Sequence, residues 1–170
     1  MATVQELADH GLLHKLDLAL EDDEQELRTI YGTVQVRDFI ADQLPGLASF
    51  FGTETSPAQD LDALLAEYGS GLPIEFDRQV KAFRRKALDV LQGGVWYLKT
   101  SDLRIFGWFP HKDCFIAVYA DTFENVKGKD LYEGRRTQVI QFRNGLNLNA
   151  PKFIPGDDPH AILSNCVIAT

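Results

Sequence analysis

The chain has 170 residues, of which 45% are hydrophobic and 25% charged, with two cysteines and a formal net charge of −8. That length predicts one compact domain with a sizeable core, and no stretch reaches the roughly 20 apolar residues of a membrane-spanning helix. Two isolated cysteines exclude a disulfide framework, and the opening MATVQELADHGLLHK lacks the basic and apolar regions of a signal peptide, so a reducing cytoplasm is the expected location.

The charge is unevenly distributed. Residues 1–77 carry 3 Lys/Arg against 16 Asp/Glu, residues 78–145 carry 13 against 7, and the remainder has Lys152 against Asp157 and Asp158. An acidic front half before a basic middle fits an anionic partner for the basic part, an acidic segment lying against it, or solvated helix faces of uneven sign.

In chain order, Leu12, Leu13, Leu16, Leu20, Leu27 and Ile30 fall near one side of a helical pattern, interrupted by Glu21-Asp22-Asp23-Glu24. The spacing predicts one helix or two short ones over 12–30. A second helical pattern runs from Thr33 through Val36, Phe39, Ile40 and Leu44 to a stop at Pro45-Gly46, and residues 45–55 read as a loop. Ser56-Pro57-Ala58-Gln59 is a capping-box start for a helix that buries Leu61, Leu64, Leu65 and Tyr68 and ends at Gly69-Ser70-Gly71. Asp77 can cap a further helix with Val80, Phe83, Ala87 and Leu91 on one stripe and Arg78, Lys81, Arg84 and Arg85 on a basic face, closed by Gly93-Gly94. Those four cations are candidate RNA or phosphate contacts, or an ordinary solvated face.

Val95–Asp121 holds both tryptophans in three short apolar runs and predicts an antiparallel meander, with strands at about 95–100, 103–109 and 114–121. A two-residue turn at Ser101-Asp102 sets Lys99 opposite Arg104, Tyr97 opposite Phe106 and Gly107 opposite Trp96, leaving room for the indole. A four-residue loop at 110–113 sets Arg104 opposite Tyr119 and Trp108 opposite Phe115. Trp96, Leu98, Leu103, Ile105 and Phe109 then form an aliphatic packing face. The other face carries Tyr97, Phe106, Trp108 and Phe115, with Lys99, Arg104 and Tyr119 at one end. Facing cations repel, so an anion is expected beside them: a ligand, Asp102, Asp121 or an acid from the front half. Lys127-Gly128-Lys129 reads as a flexible linker, Arg135 to Asn144 as a short helix, and the proline-containing tail as mostly irregular.

His10 and His14 are spaced as a zinc helix could use, but Gly11 interrupts them and no third ligand follows. His111 reads as a turn residue or a general acid. P-loop, GxGxxG, GxSxG and HExxH motifs are absent, so no cofactor and no metal are expected.

Gly94-Val95-Trp96-Tyr97-Leu98 followed by Leu103-Arg104-Ile105 resembles the strand motifs of the RelE/ParE toxin superfamily, over roughly residues 56–130. LKTSDLRIFGWF is similar to a branch of larger RelE-like proteins of unassigned role. The resemblance implies an α+β fold with several N-terminal helices packed on a small antiparallel sheet. It divides the chain into an acidic helical segment (1–55), a RelE-like core (56–130) and a C-terminal helix and tail (131–170). It also implies a metal-independent endoribonuclease acting on ribosome-bound mRNA, or a descendant of one, with the ribosome, mRNA or an antitoxin-like protein as partner. Carried over by position, the catalytic candidates are Lys99, Arg104, Tyr119, Arg135 and Arg136, with Tyr132 beside them. Two departures count against cleavage: Tyr97 stands where the family has Glu, and the basic run after the last strand is incomplete. The alternative is a catalytically silent module on the same fold that binds a protein or small ligand through the aromatic sheet face. A further reading has residues 1–55 covering that face as an antitoxin would.

Overall fold

The structure is a computed structural model, described here for residues 1–76 and 88–168. The basic stretch with Arg78, Lys81, Arg84 and Arg85 lies outside the described residues, as does most of the helix expected from Asp77.

The protein is mixed α+β, built on one sheet. In chain order the helices are α1 (Val4–Asp9), α2 (Val34–Asp38), α3 (Pro57–Gly69), α4 (Phe123–Gly128), α5 (Tyr132–Gly145) and α6 (Pro159–Ile162). The strands are β1 (His14–Lys15), β2 (Thr29–Gly32), β3 (Ile74–Phe76), β4 (Leu88–Leu91), β5 (Val95–Lys99), β6 (Leu103–His111), β7 (Cys114–Thr122) and β8 (Cys166–Ile168). Among the described residues they line up as β1-β2-β7-β6-β5-β4-β3-β8. The sheet is not purely antiparallel, because β2 runs parallel to β7, and β3 runs parallel to both β4 and β8.

No helix forms over 12–30. Four successive acids repel within a helix, and the apolar residues go instead to an extended path. Leu13 and Leu18 are buried while Leu12 and Leu27 are exposed. His14 and Lys15 pair with Gly32 and Tyr31, so sheet hydrogen bonding overrides the local helical spacing. The helix expected to run to Gly93 likewise gives way, because Leu88–Leu91 is a strand opposite Val95–Leu98. Gly93 and Gly94 (φ 78° and 70°) form the tight turn between β4 and β5.

The helix-start reading holds at α3. Ser56 accepts from the Gln59 backbone N–H, and Gln59 Oε1 accepts from the Ser56 N–H at 2.9 Å. Leu61, Leu64, Leu65 and Tyr68 are its buried side. The 33–46 pattern is also helical, α2 continuing through a π turn (Phe39–Gln43) into a 3-10 turn (Leu44–Gly46). Lys127-Gly128-Lys129 is not a linker, since Thr122 caps α4 and its last turn takes in Lys127 and Gly128.

The meander forms with its first register as read: Lys99 faces Arg104, Tyr97 faces Phe106 and Trp96 faces Gly107. The second register differs. Strand β6 runs on through Pro110 to His111, which pairs with Cys114, so the loop is only Lys112-Asp113, with Asp113 at φ 64°. Register shifts after Phe106 and after Trp108 then set Arg104 opposite Asp121, Phe106 opposite Tyr119 and Trp108 opposite Ile116. Pro110, which has no N–H to donate, sits inside the second irregularity. Phe115 consequently points to the aliphatic face.

Both sheet faces are covered, which explains strands that are apolar in nearly every position. Trp96, Leu98, Leu103, Ile105, Phe109 and Phe115 pack with residues of α2, α3 and α6. On the aromatic face Tyr97, Phe106 and Trp108 meet Val126 of α4, Val139 of α5 and Val4 and Leu7 of α1. The cover is therefore shared, with α5 laying Tyr132 against Tyr97 and Phe106, and Phe142 against Trp108. Segment 1–55 contributes α1 to that face and α2 to the opposite one.

One cation holds several segments together. Arg28, just before β2, is 2% exposed. Its Nη1 donates to the Tyr68 and Leu72 carbonyls at 3.0 and 2.9 Å, and its Nη2 to those of Ser164 and Asn165 at 2.6 and 3.4 Å. Asp113 lies 3.6 Å from its Nε, so among the described residues an ion pair joining the acidic front to the basic middle takes its cation from the front.

Candidate functional site

The sheet end where β5 leaves and β6 enters gathers most of the predicted site. Lys99 ends β5, Arg104 follows the turn, Tyr119 and Asp121 lie near the end of β7, and α5 presents Tyr132 and Arg135 over them. Lys99 Nζ is 3.4 Å from Asp89 Oδ2, which also accepts from the Tyr97 hydroxyl at 3.0 Å. Arg135 Nη2 donates to Asp121 Oδ2 at 2.7 Å, and its guanidinium lies over the Tyr119 ring at 3.9 Å. Asn125 also donates to Asp121. The anions beside the cations are thus Asp89 and Asp121, both from the basic middle itself.

Arg104 is held differently. Its Nη1 donates to the Thr100 and Leu103 carbonyls at 2.6 and 2.8 Å, and its Nε to the Tyr132 hydroxyl at 3.3 Å. Its guanidinium stacks over Phe123 at 4.6 Å. Among the described residues it forms no ion pair, because Asp121 across the ladder is taken by Arg135 and Asn125. Arg136 stands apart from this group, bonded to Glu133 on its own helix. Arg78, Lys81, Arg84 and Arg85 lie outside the described residues.

The electrostatics favour a structural network over acid–base chemistry. Burial and the neighbouring Asp89 push the Tyr97 phenol far above its ordinary range, so it remains a proton donor. The Glu133 carboxyl is lowered by its hydrogen bond from Arg136. Burial pushes the Cys114 thiol up to about 11, and raises that of Cys166. At pH 8 only about one Cys114 in a thousand would then be thiolate. Native protein treated with a thiol-specific disulfide reagent should therefore react at the rate of unfolding; rapid stoichiometric labelling would show that these strands open freely.

Asp89 escaped the sequence reading because residues up to Leu91 were assigned to a helix. A strand reading of Leu-Asp-Val-Leu before Gly-Gly would have found it, placing Asp89 opposite Tyr97. A neighbouring surface was also missed. Phe50 and Phe51 are 56% and 53% exposed and pack edge to face, with ring centroids 5.2 Å apart. Phe51 continues onto Phe123 at 5.3 Å, and so onto Arg104. Among the described residues no group of three or more His, Cys, Asp or Glu side chains is placed to hold a metal ion, and no helix is long and apolar enough to cross a membrane.

Comparison with known proteins finds no matching family model, no matching curated protein and no matching solved structure.

Proposed function

We propose that this chain is a RelE-like protein without a working nuclease centre, descended from the toxin fold and acting as a module that binds a protein partner. The observation that carries this reading is the pairing of Lys99 with Asp89 and Arg135 with Asp121. A metal-independent nuclease needs uncompensated cations to take up the charge that develops on the phosphate, and here two of the expected cations are already neutralised. The aromatic sheet face is also unsuited to a ligand, because Phe106 and Trp108 are fully buried beneath α5. Among the described residues, exposed Phe50 and Phe51 continue onto the half-buried Phe123 and Arg104, a patch of aromatic and arginine side chains of the kind that carries binding energy in protein interfaces.

Primer extension on translating ribosomes tests the reading. The wild type, Lys99→Ala and Arg104→Ala are all expected to leave the mRNA uncut, and induction of the wild type is expected to leave growth unaffected. Cleavage by the wild type that Arg104→Ala abolishes would overturn the proposal in favour of an active endoribonuclease.

A further inference from the structure

Beside the phenylalanine pair lies a cavity of about 40 Å³ lined by Leu47, Ala48, Phe50, Pro57, Asp102, Thr122 and Glu124. Asp102 is only 4% exposed. Its Oδ1 accepts the Phe50 backbone N–H at 2.8 Å, while its Oδ2 is buried with no hydrogen-bond partner. Glu124, the other carboxylate on the lining, makes no hydrogen bond or ion pair among the described residues. Burying a carboxylate oxygen without a donor is costly, so the Asp102 Oδ2 calls for a donor, and the exposed Glu124 beside it makes a positively charged one the favoured kind. Among the described residues no Lys or Arg side chain bonds to either carboxylate.

We propose that this cavity receives the ammonium group of a lysine side chain from a partner protein. Resting on the reading of the chain as a protein-binding module, this assigns the chemistry of the partner. The space accommodates a few water-sized groups, which suits the compact ammonium head with its three donors better than the broad planar fork of arginine. Asp102 and Glu124 supply the acceptors. The exposed faces of Phe50 and Phe51 offer an apolar track for the lysine methylenes and attraction for the charge. A lysine docked here would meet the Asp102 Oδ2, which has no donor, whereas Asp89 and Asp121 already hold Lys99 and Arg135.

The test uses the full chain, isotopically labelled, titrated with the peptide acetyl-Gly-Lys-Gly-amide and followed by amide chemical shifts. The Phe50 amide, bonded directly to Asp102, should shift saturably along with Thr122 and Glu124. The same peptide with its lysine acetylated should leave them in place. Asp102→Asn should weaken binding about tenfold or more, and its amide oxygen can still accept the Phe50 N–H. Glu124→Gln, at the exposed rim, should weaken binding to a smaller degree and serves as the second variant if Asp102→Asn is poorly folded. Equal shifts with the acetylated peptide, no shift in the wild type, or binding unchanged in Glu124→Gln and Asp102→Asn alike would each overturn the proposal. RNA cleavage in the ribosome assay would instead defeat the binding-module reading, an outcome this titration does not measure.

Discussion

Replacing Arg28 with alanine is expected to destabilise the protein by about 3–5 kcal/mol, measured as a shift in the urea unfolding midpoint. The guanidinium is buried and donates to four backbone carbonyls drawn from the end of α3, the loop after it and the segment before β8. Removing it takes the donor from the Leu72 and Ser164 carbonyls, while those of Tyr68 and Asn165 keep the backbone N–H groups of Gly71 and Ile74 at 3.3 and 3.2 Å, and the Asp113 carboxylate loses its cation. Against a typical domain stability of about 5–15 kcal/mol, the loss is large enough to lower soluble yield. Arg28→Lys should recover only part of it, because one ammonium cannot reach both pairs of carbonyls that the two Nη groups reach. A change below about 1 kcal/mol in Arg28→Ala would show that water replaces the guanidinium, and that the four carbonyls do not depend on it.

Gly107→Ala is the second substitution with a large expected effect. A β-carbon built at Gly107 would run into the backbone carbonyl oxygen of Ile116 and lie 2.7 Å from Phe115 Cζ. The obstacle is largely main chain from the neighbouring strand, so no rotamer change relieves it. The register shift beside Gly107 must either move or break. We expect destabilisation of about 3 kcal/mol or more, visible in thermal unfolding. Retention of the wild-type melting temperature would mean that β6 and β7 slide apart locally at little cost. The glycine does face Trp96, as the sequence predicts, but the room it makes is needed by Ile116 and Phe115 on the other side.

Sequence and structure agree where the signal is local and diverge where distant pairing decides. The box at Ser56-Gln59, the four buried residues of α3 and the turn at Ser101-Asp102 depend on neighbours a few positions away, and each forms as read. The 12–30 segment fails because its leucine spacing suits a helix in isolation, while β2 is drawn into the sheet by β7, more than 80 positions further on. The second hairpin fails by a finer margin. Pro110 is a turn former, yet it is absorbed into an irregular strand, moving the loop to Lys112-Asp113 and changing every partner of β7. For the site, the gathering of Lys99, Arg104 and Tyr119 at one sheet end was legible from strand alternation. Their compensation was not, because Asp89 lay in a misread helix and the grip of Arg135 on Asp121 depends on where α5 lands. The Phe50–Phe51 surface gave no sequence signal beyond two adjacent phenylalanines in a loop.

The parallel pairing of β2 with β7 bears on how the chain can be assembled during synthesis. Strand β2 has neighbours on both sides, but β7 belongs to a meander completed only at Thr122, and Arg28 needs carbonyls as far along as Ser164 and Asn165. Contacts over such separations slow folding, because loop closure must be met before they form. A nascent chain extending just past the meander could pair its strands and still leave Arg28 short of two acceptors. Arg28 therefore stays short of its last acceptors until the chain has emerged past Asn165, and the local acidity of Glu21-Asp22-Asp23-Glu24 helps keep the segment before it solvated meanwhile.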